Sequence, residues 1–576
     1  MTRKKNKEES VSFLPASAAE MRERGWDGVD VILVTGDAYV DHPAFGVALI
    51  GRLLEASGFR VAVLAQPRYD SPQDFKQFGP PRLFWGITAG NLDSIVANYS
   101  GNAKVRDVDQ YSPGGNPYFG QSRSKNERRR PDRATIRYAN LARCAYGPIP
   151  IILGGLEASL RRFVHYDYQQ GKLRASVLTD AKADLLVYGM GERAVVEAAQ
   201  RLAAGRDLAG IAGTCQRLTD AQQQDLAAEG HIFLPSLAEI EQDRAAYLNA
   251  ELLIDKHARS LNRALVLQKQ QAMWVVQHPP AEPLATAEMD SLYGLPFTRK
   301  AHPAAGDVPA YRMISHSVTI VRGCFGNCSF CAISRHQGPV ITSRSEDSVV
   351  AEVGQITRMD DFRGTISDLG GPTANLYGTG CRSKACSRHD CLHEGVCRQL
   401  AVDERPLISL LDRVSRIDKV RKVFVSSGLR MELLLKTPRL LKKLLLDHTP
   451  GAMKIAPEHT VAHVLRLMHK HGPDILPAFL ALCRKIAGET GKECIFTPYF
   501  ISAHPGCSLD DMKALARDVR KMGLLVRQFQ DFTPTPGTIS TAMYVCGLDR
   551  YKRQPIYVAR NAKERMQQRQ VLAEMK

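Results

Sequence analysis

Residues 322–338 read RGCFGNCSFCAISRHQG and set Cys324, Cys328 and Cys331 in a CxxxCxxC run. Thiolates are the natural ligands of iron–sulfur clusters, which normally take four of them. Three thiolates from one tight turn would hold a 4Fe-4S cubane and leave one iron open to an outside ligand. Gly323 and Gly326 permit the close backbone wrap that a cubane needs. The alternatives are a zinc knuckle short of a ligand or incidental thiols. Zinc prefers CxxC pairs with a distant second pair, so a lone CxxxCxxC suits it poorly.

The position of the run decides the fold class. It follows SVTIVRG (317–323), the first of six strand-like segments that alternate with amphipathic stretches. The others are GTISDLGG (364–371), KVFVSSG (422–428), AMKIAPEH (452–459), CIFTPYF (494–500) and VRQFQDFTPTPG (526–537). RLLKKLLLDH (439–448) and LDDMKALARDVRKMG (509–523) supply helical periodicity between them. Six βα units predict a partial (β/α)6 barrel with its chemistry at the C-terminal ends of the strands. Upstream, DVILVTG (30–36), FGVALIGRLLEASG (45–58) and RVAVLAQP (60–67) read as a βαβ unit. IPIILGG (149–155) and ADLLVYGMGE (183–192) read as further strands ending in glycine turns. The class is α/β: an N-terminal doubly wound sheet plus the C-terminal barrel. The expected layout is a polar tail at 1–20, an α/β domain at 21–300, a barrel at 301–550 with a cysteine-rich insertion at 381–397, and a polar tail at 551–576. A charged helical segment is expected from about Leu234 to Gln270, followed by a Pro-containing linker.

With 576 residues the chain is too long for one core. Hydrophobic residues make up 44% and charged residues 24%, as in ordinary globular proteins, and no apolar run is long enough to span a bilayer. MTRKKNKEES lacks the apolar stretch of a secretory signal, so the cytoplasm is expected and no membrane partner. The net charge of +17 is compatible with a polyanionic partner such as a nucleic acid. Much of it is concentrated in Arg123, Lys125, Arg128, Arg129, Arg130, Arg133 and Arg137, read as a solvated insertion in preference to an RNA contact because few aromatics interleave. Seven of the thirteen cysteines lie between 324 and 397, and such clustering points to metal.

The CxxxCxxC run with Phe330 before its last cysteine resembles the radical-SAM superfamily. GGPTANLYG (370–378), KIAPEHT (454–460), YFISAHPGCSLDDM (499–512) and QDFTPTPGT (530–538) are similar to strings of the YgiQ family, uncharacterised radical-SAM proteins, over nearly the whole chain. The resemblance implies that the open iron binds S-adenosylmethionine and that one electron splits it into methionine and a 5′-deoxyadenosyl radical. A one-electron reductant such as flavodoxin or ferredoxin would be the redox partner. It further implies Phe330 against the adenine, Gly370 and Gly371 near the cofactor's amino group, and Ser426, Ser427 and Arg430 on ribose or carboxylate. Glu458, His459 and His504 lie at later strand ends, where they would meet cofactor or substrate; each histidine could equally cap a helix. The substrate is unknown.

Cys381, Cys386, Cys391 and Cys397, with His389 and His393 among them, suit either a structural zinc or an auxiliary iron–sulfur cluster. The N-terminal strings resemble cobalamin-binding domains fused to many radical-SAM enzymes. Asp41-His-Pro-Ala-Phe-Gly46 departs from their DxHxxG spacing, which speaks against base-off cobalamin and leaves base-on binding or loss of the cofactor open; a sheet kept for scaffolding or substrate capture is the expectation. Two other function classes stay in view. One is an RNA-modifying methylthiolase-like enzyme, which FTPTPGT (532–538) resembles. The other is a non-catalytic zinc or iron–sulfur protein.

Overall fold

The computed structural model describes residues 11–120, 123–226, 230–259, 264–383, 386 and 390–575. Val31–Thr35 is buried along its whole length between two parallel partners, Val61–Ala65 and Phe84–Thr88. An uninterrupted apolar run is what a strand covered on both faces requires. Ile151–Leu153 and Leu185–Val187 continue the parallel sheet beyond Phe84–Thr88. Thr214–Leu218, Met273–Gln277 and Val266–Gln270 extend it antiparallel, with Ile232–Phe233 at the edge, to nine strands.

All six barrel strands form. Ser317–Thr319 pairs with Asp368–Gly370, and Thr365–Ile366 with Lys422–Val423, each in parallel. Ala452–Glu458, Ile495–Ser502 and Gln528–Asp531 make a parallel trio. Val318, Ile366, Leu369, Val423, Met453 and Ile455 fill the space between these strands and helices Glu346–Ile356, Arg405–Ser415, Pro438–Asp447 and Ile475–Thr490.

The structure corrects several expectations. Residues 11–20 are no tail: Leu14 is fully buried, the Pro15 carbonyl accepts from Val63 N at 2.8 Å, and Ala18–Glu23 is helical. At the other end, helix Ala562–Ala573 buries Arg565, Gln568 and Leu572. Gln568 accepts from Ala503 N and donates to the Cys507 carbonyl, both at 2.8 Å, so polar side chains do the docking that composition assigns to a surface. In the charged segment expected to be helical up to Gln270, Arg244–Arg259 is helix but Val266–Gln270 is a strand, paired in a β-hairpin with Met273–Gln277. Its inward glutamines serve neighbouring backbone: Gln268 accepts from Val164 N at 2.8 Å and Gln270 from Ser176 N at 2.9 Å.

The arginine-rich stretch is only in part the solvated insertion expected: Arg123 and Arg137 are exposed, whereas Arg128 and Arg130 are buried. Arg130 is 1% exposed and pairs with Asp37 at 2.5 Å and with Asp109 at 3.4 Å. Arg133 pairs with buried Asp167 at 2.7 Å. Arg128 lies over Tyr99 and Tyr118, Arg129 over Phe119, and Arg137 over Tyr69. Tyr118 and Phe119 lie just before the stretch and Tyr69 and Tyr99 farther off, so no aromatic within the stretch itself reveals them.

Candidate functional site

The cysteine loop is closed at its base. SVTIVRG breaks after Thr319, and Val321–Arg322 turns to pair antiparallel with Thr342–Ser343, so that both ends of the loop meet. Gly323 has φ +83° and lies so near the Val340 carbonyl that a Cβ would overlap it. Side chains flanking the cysteines are gripped by the N-terminal half. Arg322 pairs with Glu192 at 2.6 Å, Arg335 with Glu251 at 2.6 Å, and Asn327 donates to Asp255 at 3.3 Å. His336 Nδ1 is 3.0 Å from Ser159 Oγ. The loops after Ile151–Leu153 and Leu185–Val187 therefore face the cysteines. Barrel residues hold the other side: Ser329 N donates to the Met468 carbonyl at 2.9 Å and its hydroxyl accepts from Arg550 at 2.6 Å.

Cys324 and Cys328 are buried and Cys331 half-buried. The Arg430 guanidinium donates to both buried thiols, at 3.7 Å and 3.4 Å. Burial works against the charged guanidinium, and the neighbouring Cys328 and Cys324 outweigh it and push its pKa up. Burial, then the nearby Cys328 and Cys324, push the Cys331 thiol up to about 12. The approach is possible because Gly326 has no side chain: a Cβ there would overlap Arg430 Nη2. Asn375 holds Arg430 by a reciprocal pair, accepting from its N at 2.9 Å and donating to its carbonyl at 3.0 Å. Residue types alone did not single out Asn375, although it lies in the GGPTANLYG string.

Asp368, also missed from sequence, stitches two strand ends together. Its Oδ1 accepts from Ser426 N at 2.8 Å and from Ser427 N at 3.1 Å and Oγ at 3.2 Å. Burial pushes its carboxyl pKa up, with these donors opposing. The Ser426 hydroxyl donates to the Ser367 carbonyl at 2.8 Å. A Cβ at Gly370 would overlap Ser427 Oγ, and one at Gly371 the Val321 carbonyl, so both glycines are required by strand packing. Phe330 packs with Val464, Phe500 and Phe532, its ring edge-on to His504.

Glu458 differs from its neighbours. It is buried, its backbone sits at φ +68°, and among the described residues its Oε2 has no hydrogen-bond partner. Burial raises its pKa, with Lys470 and Arg430 opposing. A left-handed non-glycine residue presenting an open carboxylate oxygen is the kind of local strain found at binding sites. Glu432 Oε2 and His471 Nε2, close by in the same charged group, are likewise unpartnered among the described residues.

His459 and His504 are occupied within the protein. His459 Nδ1 accepts from Val461 N at 3.0 Å, at the start of helix Ala462–Leu467, and its Nε2 lies 3.5 Å from Cys507 Sγ. His504 Nδ1 donates to the Pro505 carbonyl at 2.9 Å, which leaves Nε2 to accept from Ser540 Oγ at 2.6 Å. Burial lowers both histidine pKa values to about 3. Above pH ~6.5 both are neutral whether folded or unfolded, so stability is whole there. As pH falls from there toward 3, the unfolded chain takes up protons that the folded chain refuses. Stability should drop by about 1.4 kcal/mol per pH unit for each histidine. Urea midpoints between pH 7 and 4.5 test this: His504→Gln should make the acid loss shallower by one such increment, and an unchanged slope would refute it.

Cys381, Cys386, Cys391 and Cys397 all fall in one loop beside the barrel mouth; His389 lies outside the described residues. At the switch point of the N-terminal sheet, between Val31–Thr35 and Phe84–Thr88, the buried Arg130 side chain stands 3.0 Å from where a Gly36 Cβ would be. His42 is buried, with Nε2 2.7 Å from Arg299 Nη2 and Nδ1 accepting from Ala44 N at 3.1 Å.

Residues 13–317 match the family model described as Radical SAM N-terminal, which with this fold defines a member of the radical SAM superfamily. A UPF0313 protein of Geobacter sulfurreducens is 45% identical over 567 residues, covering 98% of this chain and 92% of that relative. One from Thermotoga maritima is 44% identical, covering 96% and 97%. The chain belongs to the UPF0313 family. Among solved structures it is similar to the radical S-adenosylmethionine methyltransferase TsrM from Kitasatospora setae, with TM-score 0.49, 15% identity and coverage of 88% and 74%. It is also similar to the cobalamin-dependent radical enzyme OxsB, with TM-score 0.46, 11% identity and coverage of 91% and 56%. Among the described residues no helix is long and apolar enough to cross a membrane.

Proposed function

We propose that this chain is an enzyme that binds a 4Fe-4S cluster through Cys324, Cys328 and Cys331 and cleaves S-adenosylmethionine reductively. The supporting observation is one largely buried guanidinium, Arg430, in contact with two thiols of a three-cysteine loop at the barrel mouth. Its positive charge offsets that of clustered thiolates in a site of low dielectric, where an unpaired anion is costly. The donor set fits the cluster: three thiols, a closed loop base, and glycines where any Cβ would collide. When bound, cluster and cofactor supply one-electron cleavage to methionine and a 5′-deoxyadenosyl radical.

The chain's own residues then divide the remaining tasks. Arg430 holds charge at the thiolates, and Asn375 fixes Arg430. Glu458 offers an open carboxylate oxygen to a donor on cofactor or substrate. Phe330 and the N-terminal helices Gly155–Leu160 and Glu192–Ala203, carrying Ser159 and Glu192, shield the site from water. A small one-electron carrier protein of the flavodoxin or ferredoxin type is the proposed reductant.

The test is anaerobic. The chain is reconstituted with iron and sulfide, then given dithionite and S-adenosylmethionine, and 5′-deoxyadenosine is quantified. Cofactor binding is followed separately through the spectrum of the reduced cluster. Wild type should form 5′-deoxyadenosine or show a cofactor-induced spectral change, and Cys328→Ala should do neither. A wild-type chain that takes up no cluster and binds no cofactor would sink the proposal.

A further inference from the structure

The insertion at 381–397 carries four thiols that the proposed function leaves unused, spaced CxxxxCxxxxCxxxxxC. The backbone folds its two ends together. Gly380–Cys381 pairs antiparallel with Leu400–Ala401, and Arg382 N donates to the Gln399 carbonyl at 2.9 Å. Cys397 N donates to the Cys391 carbonyl at 2.8 Å, and Leu400 N to the Cys397 carbonyl at 3.0 Å. The first, third and last cysteines are thus joined by hydrogen-bonded backbone. Cys397, Cys381 and Cys386 all lie within electrostatic reach of the half-buried Cys391. All four are free thiols.

The surroundings are equally specific. On the inner side Cys391 and Cys397 pack with Leu392, Leu400 and Leu376 in one apolar cluster that also contains Cys324. On the outer side Cys381 and Cys386 are exposed. The loop between is pinned to the barrel by a ring stack. His393 lies 3.7 Å from His469, which stacks on Tyr551 at 6.1 Å. Asp390 accepts from His469 Nε2 at 2.8 Å, and Tyr551 Oη lies 2.6 Å from His469 Nδ1. Anchors on both sides of Cys391 hold a short polar segment that buries little apolar surface of its own, and such segments are commonly completed by a metal.

We infer that Cys381, Cys386, Cys391 and Cys397 ligate a second iron–sulfur cluster, of the 4Fe-4S class, on the solvent side of Cys324. Among the described residues, no three His, Cys, Asp or Glu side chains close about a point as one zinc ion requires. Four thiols that are not gathered on one point suit ligation of separate irons better than ligation of one zinc. Four thiolates fill every iron, so this cluster carries electrons and does not coordinate S-adenosylmethionine.

The assignment is independent of the first cluster, and the test separates the two. Iron, acid-labile sulfide and zinc are counted in the anaerobically reconstituted full chain, in Cys324→Ser/Cys328→Ser/Cys331→Ser, and in Cys391→Ser/Cys397→Ser. Wild type should hold about eight irons and eight sulfides, and each variant about four. On reduction wild type should show two paramagnetic components, of which S-adenosylmethionine alters one; the triple variant should keep only the unaltered one. That wild-type spectrum decides the matter even if the double variant misfolds. A wild-type chain with about four irons and one component overturns the assignment, as does zinc lost from the double variant with iron unchanged. A triple variant that keeps about four irons upholds it even if wild type makes no 5′-deoxyadenosine.

Discussion

Gly326→Ala is expected to empty the Cys324–Cys331 site of iron while the chain stays folded. The new methyl would overlap Arg430 Nη2, and the retreat of the guanidinium is opposed by the contacts that hold it. Both of its backbone polar groups are bound by Asn375, and its side chain is held by Glu432 at 3.4 Å. The cysteine loop must move instead, and it carries all three thiols with it. Displacing a reacting constellation by ~1 Å costs about a hundredfold in rate, so 5′-deoxyadenosine formation should fall at least that far. The thermal midpoint should change little, because the overlap is confined to the loop. Removing the guanidinium as well relieves the collision: Gly326→Ala/Arg430→Ala should take up more iron than Gly326→Ala alone. If both variants load iron like wild type, Arg430 does not abut the loop as described.

Glu352→Ala should be the most destabilising single substitution of a charge that touches no cysteine. Its carboxylate receives Arg299 at 2.5 Å on one oxygen and Arg344 on the other, and all three groups are buried. Arg299 also donates to the Ser317 carbonyl at 2.7 Å, so the cluster ties the N-terminal half to the first barrel strand. Losing the shared acid would leave two cations in low dielectric, and removal of one partner from a buried pair costs about 3–5 kcal/mol. Glu346 is the contrasting case, since its pair with Arg413 is largely exposed. Glu346→Ala should cost under about 1 kcal/mol. Urea midpoints of the two variants test the difference; equal losses would refute it.

Much of this protein was legible in the sequence because its signals are local. Unbroken apolar runs set Val31–Thr35, Val61–Ala65, Ile151–Leu153 and Leu185–Val187 of the parallel part and all six barrel strands, since burial on one or both faces dictates which positions must be apolar, whereas the central Phe84–Thr88 emerges only in the structure. Three cysteines within eight residues needed no tertiary information to suggest a cluster. Glycines at 323, 326, 370 and 371 likewise marked close approach, although only the structure shows what approaches: Val340, Arg430, Ser427 and Val321.

Contacts between distant residues decided the rest. Arginines that composition assigns to solvent fold inward because Asp37, Asp109 and Asp167 wait for them from other elements. Two termini read as polar tails dock through Leu14 and Gln568, whose partners are far along the chain. Asn375 and Asp368 look like ordinary turn residues until the fold sets them against Arg430, Ser426 and Ser427. Local pattern determines which segments become strands and helices, because burial periodicity is a property of neighbours in sequence. Which buried charge meets which partner is a property of three-dimensional proximity, and that the tertiary structure alone decided.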